Sequence, residues 1–228
     1  MTEIRDNYTR TMEGFREACL KAARSPSEVK LVAVSKTFPA ESVAQAYELG
    51  QRLFGENRVQ ELVDKQPALP KDIEWHFIGR LQRNKVKYII DKVALIHSVD
   101  SVGLAREISR HAVIKGVEVP VLIQVNLGGE ESKAGFYEEG LRQGVTDVAG
   151  LPGVRIQGLM TIGPYFEDPE EARPLFRRMK TLIREVAGWN IPGTEIRLLS
   201  MGMSHDYKVA IEEGADIVRV GSAIFGWR

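Results

Sequence analysis

Eight short apolar runs recur along the chain, each separated from the next by a longer polar-apolar stretch, and this rhythm constrains the fold more than any other feature. The runs are VKLVAVS (29–35), RLFGE (52–56), EWHFIG (74–79), VALIHSV (93–99), VPVLIQVN (119–126), VRIQGLMTI (154–162), IRLLSMG (196–202) and DIVRVG (216–221). Runs of this length and composition predict strands, and the most continuous of them suit strands covered on both faces. Between them, AESVAQAYEL, SVGLAREISRHAVI, PEEARPLFRRMKTLIREVA and SHDYKVAIEEG carry helical spacing, and the glycines ending YELG and IEEG read as helix stops. A further helix is predicted over about residues 3–24. Eight strands alternating with helices predict an α/β fold, a (β/α)8 TIM-type barrel; a doubly wound open sheet is the alternative. At 228 residues and 43% hydrophobic, without a linker-like stretch, the chain is expected to form a single domain over 1–228.

Charge and composition narrow the partners. Lys+Arg and Asp+Glu both number 31, so no global positive field would recruit nucleic acid or an anionic membrane. No apolar run approaches the ~20 residues of a membrane-spanning helix, and the start MTEIRDNYTR lacks a secretory apolar region. Cys19 is the single cysteine, which fits a reducing compartment. The expectation is a soluble cytoplasmic protein, a monomer, with no nucleic-acid or membrane partner.

In such a barrel, function collects at the C-terminal strand ends. Those ends carry Lys36, Asn57, His76 with Gly79, Ser98, Asn126, Thr161, Ser200 and Arg219, predicted to converge on one mouth. In LVAVSKTFPA an apolar strand closes on Lys36. The ammonium has either reached solvent, or the amine is wanted there as a Schiff-base nucleophile. Ser200 and Gly202 follow strand seven, with Ser204 at an expected helix N-cap, and Gly221 and Ser222 follow strand eight. Loops of that kind bind phosphate through free N–H groups and hydroxyls, or are ordinary turns; two together favour phosphate. Arg219 has the parity of Ile217 and Gly221 on a strand whose other face is apolar. It could hold a carboxylate, donate to a ring nitrogen, or snorkel to the rim.

Other constellations carry less. Ser204-His205-Asp206 are consecutive and cannot form a catalytic relay. The four histidines His76, His97, His111 and His205 lack metal-ligand spacing, so no metal is expected. EEARPLFRRMK and KDIEWHF read as solvated faces, and LGGEESKAGF (127–136) as a mobile loop or a lid carrying Lys133.

The stretch WHFIGRLQRNKVKYI (75–89) resembles the signature of the YggS/PROSC family of pyridoxal phosphate homeostasis proteins: an aromatic-His-Phe-Ile-Gly run, then Leu-Gln and Asn-Lys at fixed offsets. AVSKT, FGENRVQE, GLMTIGP, LSMGMSHDY and RVGSAIFG support it in order, so the resemblance covers nearly the whole chain. It implies a fold-type III pyridoxal 5'-phosphate (PLP) protein, like the N-terminal domain of alanine racemase. Lys36 would be the Schiff-base lysine and Arg219 would face the pyridine nitrogen. Ser200, Gly202, Gly221 and Ser222 would hold the phosphate, with Asn57 and His76 lining the ring.

A cationic arginine against the ring nitrogen disfavours its protonation, so strong transaminase or decarboxylase chemistry is not expected. The leading reading is a carrier or buffer of PLP in vitamin B6 homeostasis, with apo PLP-dependent enzymes as possible recipients. An amino-acid racemase of the alanine racemase type and a class I aldolase are the alternatives. A racemase needs a second base, which in alanine racemase comes from a further β domain; the chain stops at GSAIFGWR, a few residues after strand eight, so that base is expected to be missing.

Overall fold

In the computed structural model, which describes residues 2–127 and 134–227, all eight runs form strands. They are β1 (Lys30–Val34), β2 (Leu53–Glu56), β3 (Glu74–Phe77), β4 (Leu95–Val99), β5 (Val119–Val125), β6 (Val154–Thr161), β7 (Thr194–Ser200) and β8 (Ile217–Val220). Neighbours pair in parallel in chain order, and β8 pairs back onto β1 through Lys30–Ile217 to Ala33–Val220, closing the barrel. An open sheet is excluded.

Helices α1 (Thr2–Lys21), α2 (Ala40–Glu48), α3 (Val59–Lys65), α4 (Val102–Lys115), α5 (Glu138–Ala149), α6 (Arg173–Gly188), α7 (Tyr207–Glu212) and the short α8 (Ser222–Phe225) surround the strands. The predicted N-terminal helix ends at Lys21, and α1 packs on α7 and α8. The β3–β4 connection departs from the helical rhythm: it is a 3-10 helix, Arg83–Tyr88. Val86 and Ile89 bury there at a spacing of three, which suits three residues per turn. Among the described residues no helix is long and apolar enough to cross a membrane.

The two-residue strand period divides the apolar residues into two cores. Val32, Val34, Leu95, Leu122, Met160 and Ile217 fill the barrel interior. Their neighbours, among them Leu31, Ala33, Phe54, Trp75 and Phe77, pack outward against the helices. Two segments read as solvated faces are therefore half core. In KDIEWHF, Trp75, His76 and Phe77 are buried in β3; in EEARPLFRRMK, Phe176 and Met179 are the buried stripe of α6. The charges between them remain outside, with Arg173 bonded to Glu170, Glu212 and Glu213.

Gly79, just past β3, is fixed by packing: a Cβ there would lie 2.1 Å from the Asn57 carbonyl oxygen and 2.6 Å from its Cα. Only a bare Cα lets the two strand ends approach so closely. Gly140, inside α5, has nothing within 4 Å of its missing Cβ. Gly79→Ala is expected to destabilise by about 1–3 kcal/mol through overpacking, while Gly140→Ala should stabilise by about 0.5–1 kcal/mol through helix propensity. Thermal unfolding of both variants checks this, and a neutral Gly79→Ala would contradict the close approach.

Candidate functional site

Lys36 follows β1 by two residues and is exposed at the C-terminal mouth of the barrel. A buried ion cluster holds the residues on either side of it. The Ser35 hydroxyl donates to Glu56 Oε1 at 2.6 Å, and the Lys65 ammonium donates to the Ser35 carbonyl at 2.9 Å and to Glu56 Oε1 at 2.7 Å. The same ammonium reaches Glu61 Oε2 at 3.1 Å, and that oxygen accepts the Thr37 amide at 2.7 Å. Thr37 has φ +67, a left-handed conformation uncommon outside glycine. The turn that presents Lys36 is thus pinned at both neighbours while the amine itself is left exposed.

Glu56 is fully buried, and burial pushes its carboxyl up despite the bonds from Lys65 and Ser35. Burial also raises Glu61, but the Thr37 amide and Lys65 outweigh it and leave that carboxyl below its ordinary range. None of Glu56, Glu61 and Lys65 was singled out from the sequence. The signal was present: Glu56 closes an apolar strand as Lys36 does, and Glu61 and Lys65 stand four apart on α3.

Below the mouth, the barrel interior carries a chain of polar groups. Arg219 is 4% exposed; it pairs in register with Val32 and donates from Nη1 to Ser200 Oγ at 2.6 Å and from Nη2 to the Thr161 carbonyl at 2.8 Å. It does not snorkel to the rim. Burial lowers its pKa to about 10, which leaves it cationic at neutral pH. Ser200 Oγ lies 3.0 Å from His97 Nδ1, His97 Nε2 lies 2.8 Å from His76 Nδ1, and His76 Nε2 lies 3.2 Å from Glu74 Oε1. Burial pushes both histidines below their ordinary pKa. His76, expected to line a ring, spends both nitrogens inside the barrel, and Ser200 is engaged by Arg219 and His97. His97 was not chosen from the sequence because its partner is 21 positions away, on the adjacent strand.

The loops after β7 and β8 meet. Gly202 adopts φ +89, and a Cβ there would stand 2.5 Å from the Ala210 Cβ; its carbonyl accepts the Arg219 amide at 3.0 Å. Gly221 backs onto Val34, and Ser222 opens α8. Ser204 was expected at the N-cap of α7, but Asp206 holds that position. Ser204 Oγ instead accepts from the Gly221 amide at 2.9 Å and the Ala223 amide at 3.4 Å. These are donors of the kind that bind phosphate. His205 Nε2 donates to the Glu167 carbonyl and Asp206 accepts the Met203 amide, so Ser204, His205 and Asp206 serve three separate purposes.

Among the remaining strand-end residues, Ser98 donates to the Gly79 carbonyl and Thr161 to the Val125 carbonyl. Buried Asn57 Oδ1 and Glu56 Oε2 lack a hydrogen-bond partner among the described residues. Asn57 also borders a cavity of about 780 Å³ lined by Arg58, Arg80, Arg83 and Lys85, with Asp100 the carboxylate facing them. That imbalance makes one side of the mouth attractive to anions. Lys133 lies outside the described residues.

The closed parallel barrel, together with the family match that follows, is that of the fold-type III class. The family model for the alanine racemase N-terminal domain matches residues 16–228. The chain is 48% identical over 225 residues to a pyridoxal phosphate homeostasis protein of Aquifex aeolicus, covering 98% of this chain and 97% of that one. A crystal structure of an unknown protein from Bifidobacterium adolescentis superposes with TM-score 0.91 at 37% identity, covering 97% and 94%. PipY of Synechococcus elongatus, with PLP bound, gives 0.81 at 39%, covering 93% and 99%. The chain belongs to the pyridoxal phosphate homeostasis (YggS/PROSC) family.

Lys65→Met would leave Glu56 buried without its cation, which is expected to cost about 3–5 kcal/mol. The folded-state carboxyl is already above its ordinary 4.5, and losing Lys65 raises it further. A carboxyl raised on folding binds more protons in the native than in the unfolded state, so stability falls as pH rises from 4.5 toward the folded pKa. Lys65→Met should therefore be less destabilised at pH 5 than at pH 8, and adding Glu56→Gln should recover part of the loss. Denaturant unfolding at the two pH values checks this; a pH-independent loss would refute the account.

Proposed function

We propose that this protein binds PLP at its barrel mouth through Lys36, and stores it or hands it to apo PLP-dependent enzymes with little amino-acid turnover of its own. The observation that carries the reading is one register: Lys36 stands four residues beyond Val32, which pairs with the buried Arg219 on the adjacent strand. An exposed amine and a buried cationic donor thus share one side of one mouth.

The residues present suit the cofactor. Lys36 would hold the cofactor, as a primary amine able to attach an aldehyde reversibly with release of water. Gly202, Gly221 and Ser222 would hold a phosphate, the Gly221 and Ala223 amides exchanging their present acceptor, Ser204 Oγ, for a phosphate oxygen. The orphaned Asn57 Oδ1 is an acceptor suited to a hydroxyl donor on the ring. Arg219 would stand toward the ring nitrogen as a permanent donor. No carboxylate pairs with Arg219 among the described residues, and nothing there would deliver a proton to that nitrogen as an aspartic acid can. The protein's part is to bind and orient; electron withdrawal through the ring, which amino-acid chemistry needs, is held low.

Treating the PLP-loaded protein with borohydride should fix the cofactor mass on the Lys36 peptide, and Lys36→Ala should carry no adduct there. An adduct on Lys85 or Lys133 in the wild type would overturn the assignment. Pyridoxal lacking its phosphate should bind much more weakly, and Ser222→Ala should narrow the difference. Equal affinity for the two vitamers would refute the phosphate reading.

Turnover separates a carrier from a racemase. With a panel of L- and D-amino acids, α-deuterium exchange is expected to stay far below the usual enzyme range of ~1–10³ per second. Exchange within that range on any of them would replace the carrier reading by a catalytic one.

A further inference from the structure

We infer that Glu74, His76 and His97 are positioning residues for Arg219, joined to it through Ser200 in a hydrogen-bond chain whose direction is set at both ends. The cofactor consequence rests on the PLP reading above; the direction of the chain does not.

At the upper end, a guanidinium can only donate, so Ser200 Oγ accepts from Arg219 Nη1. At the lower end, the Glu74 carboxyl is held down to about 2, first by its bond from His76, with Lys30 Nζ 3.5 Å away also contributing. As a carboxylate it can only accept, so His76 Nε2 carries the proton between them. A neutral His76 then has a bare Nδ1, which must accept from His97 Nε2–H at 2.8 Å. His97 Nδ1 is bare in turn and accepts the Ser200 hydroxyl proton at 3.0 Å. The reverse direction would set the bare Nε2 of His76 against the carboxylate, two acceptors without a proton. Neutral rings are required by the surroundings: His76 and His97 are 1% and 0% exposed, and His97 lies one hydroxyl from the Arg219 cation.

Both rings are therefore Nε2–H tautomers, and every donor in the chain points from Arg219 toward Glu74. Successive hydrogen bonds aligned in one sense polarise one another. The lone pairs at the upper end face the guanidinium, and the chain ends on the Glu74 carboxylate at the N-terminal rim of β3, 44% exposed, while Asp206 is the carboxylate whose charge acts on Arg219 through space. The barrel thus gives a buried arginine cation an oriented hydroxyl and a carbonyl as its bonded acceptors, rather than a directly paired carboxylate. Ser200, its proton committed to His97, serves Arg219 rather than a phosphate.

The chain is tested by 15N NMR of the histidine side chains in the full-length protein, with His97→Gln and Glu74→Leu used for assignment. His76 and His97 should each show a protonated Nε2 and a bare, pyridine-type Nδ1, and Glu74→Leu should shift the His76 tautomer balance. A protonated His97 Nδ1 in the wild type would overturn the proposal. For the consequence, His97→Phe should weaken PLP about tenfold, the size expected on losing a hydrogen bond that supports a charged group, and shift its visible absorption. His97→Gln, whose amide offers one acceptor and one donor in the same order, should restore both. Identical spectra and affinities in wild type, His97→Phe and His97→Gln would refute the positioning role. If the wild type itself takes up no PLP, the cofactor reading falls and the tautomers alone decide the chain.

Discussion

A closed barrel has no sheet edge, so its interior can be reached only through its two ends. Whatever points inward must either pack as an apolar group or find a partner among the other inward residues. Val32, Val34, Leu95, Leu122, Met160 and Ile217 meet the first condition. Arg219 cannot, and the arrangement around it follows from that: Ser200 and the Thr161 carbonyl accept its hydrogen bonds, and His97, His76 and Glu74 continue the line to the opposite rim.

The mouth is organised by a second buried charge. Lys65 lies at the end of α3, yet its ammonium is inserted between β1 and β2, where Glu56 and the Ser35 carbonyl receive it. The result concerns Lys36 more than stability. Replacing such clusters by apolar residues is often neutral or stabilising, so a buried ion pair is weak evidence of a gain in folding energy. What this one does is bond both neighbours of an exposed lysine, one through a carbonyl and hydroxyl and the other through an amide in a left-handed turn. A side chain as flexible as lysine is located only if its backbone is.

The two networks divide the work. One fixes where an amine stands and the other gives a guanidinium its acceptors in a buried interior, and between them lie the glycine and serine loops of β7 and β8. The bonds from Gly221 and Ala223 to Ser204 show how this site treats an oxygen acceptor: amides already converge on one point, and a hydroxyl occupies it.

The sequence by itself determined the barrel. Eight apolar runs at strand length, each followed by a helical stretch, leave little choice of architecture, because strand and helix periodicities are local properties of the chain. It also indicated Lys36 and Arg219, since a charge at the end of an apolar strand, or within one, is conspicuous without any structure. It did not indicate His97, Glu61 or Lys65, nor that Ser204 caps α8 rather than α7. The β3–β4 link and the burial of Trp75 and His76 within KDIEWHF were likewise decided in three dimensions. Each depends on a partner supplied by another strand or by the same chain one turn away. His97 meets His76 across 21 positions and Ser200 across 103. Pattern reading detects what a residue is next to along the chain; only closure of the barrel decides what it faces across the interior.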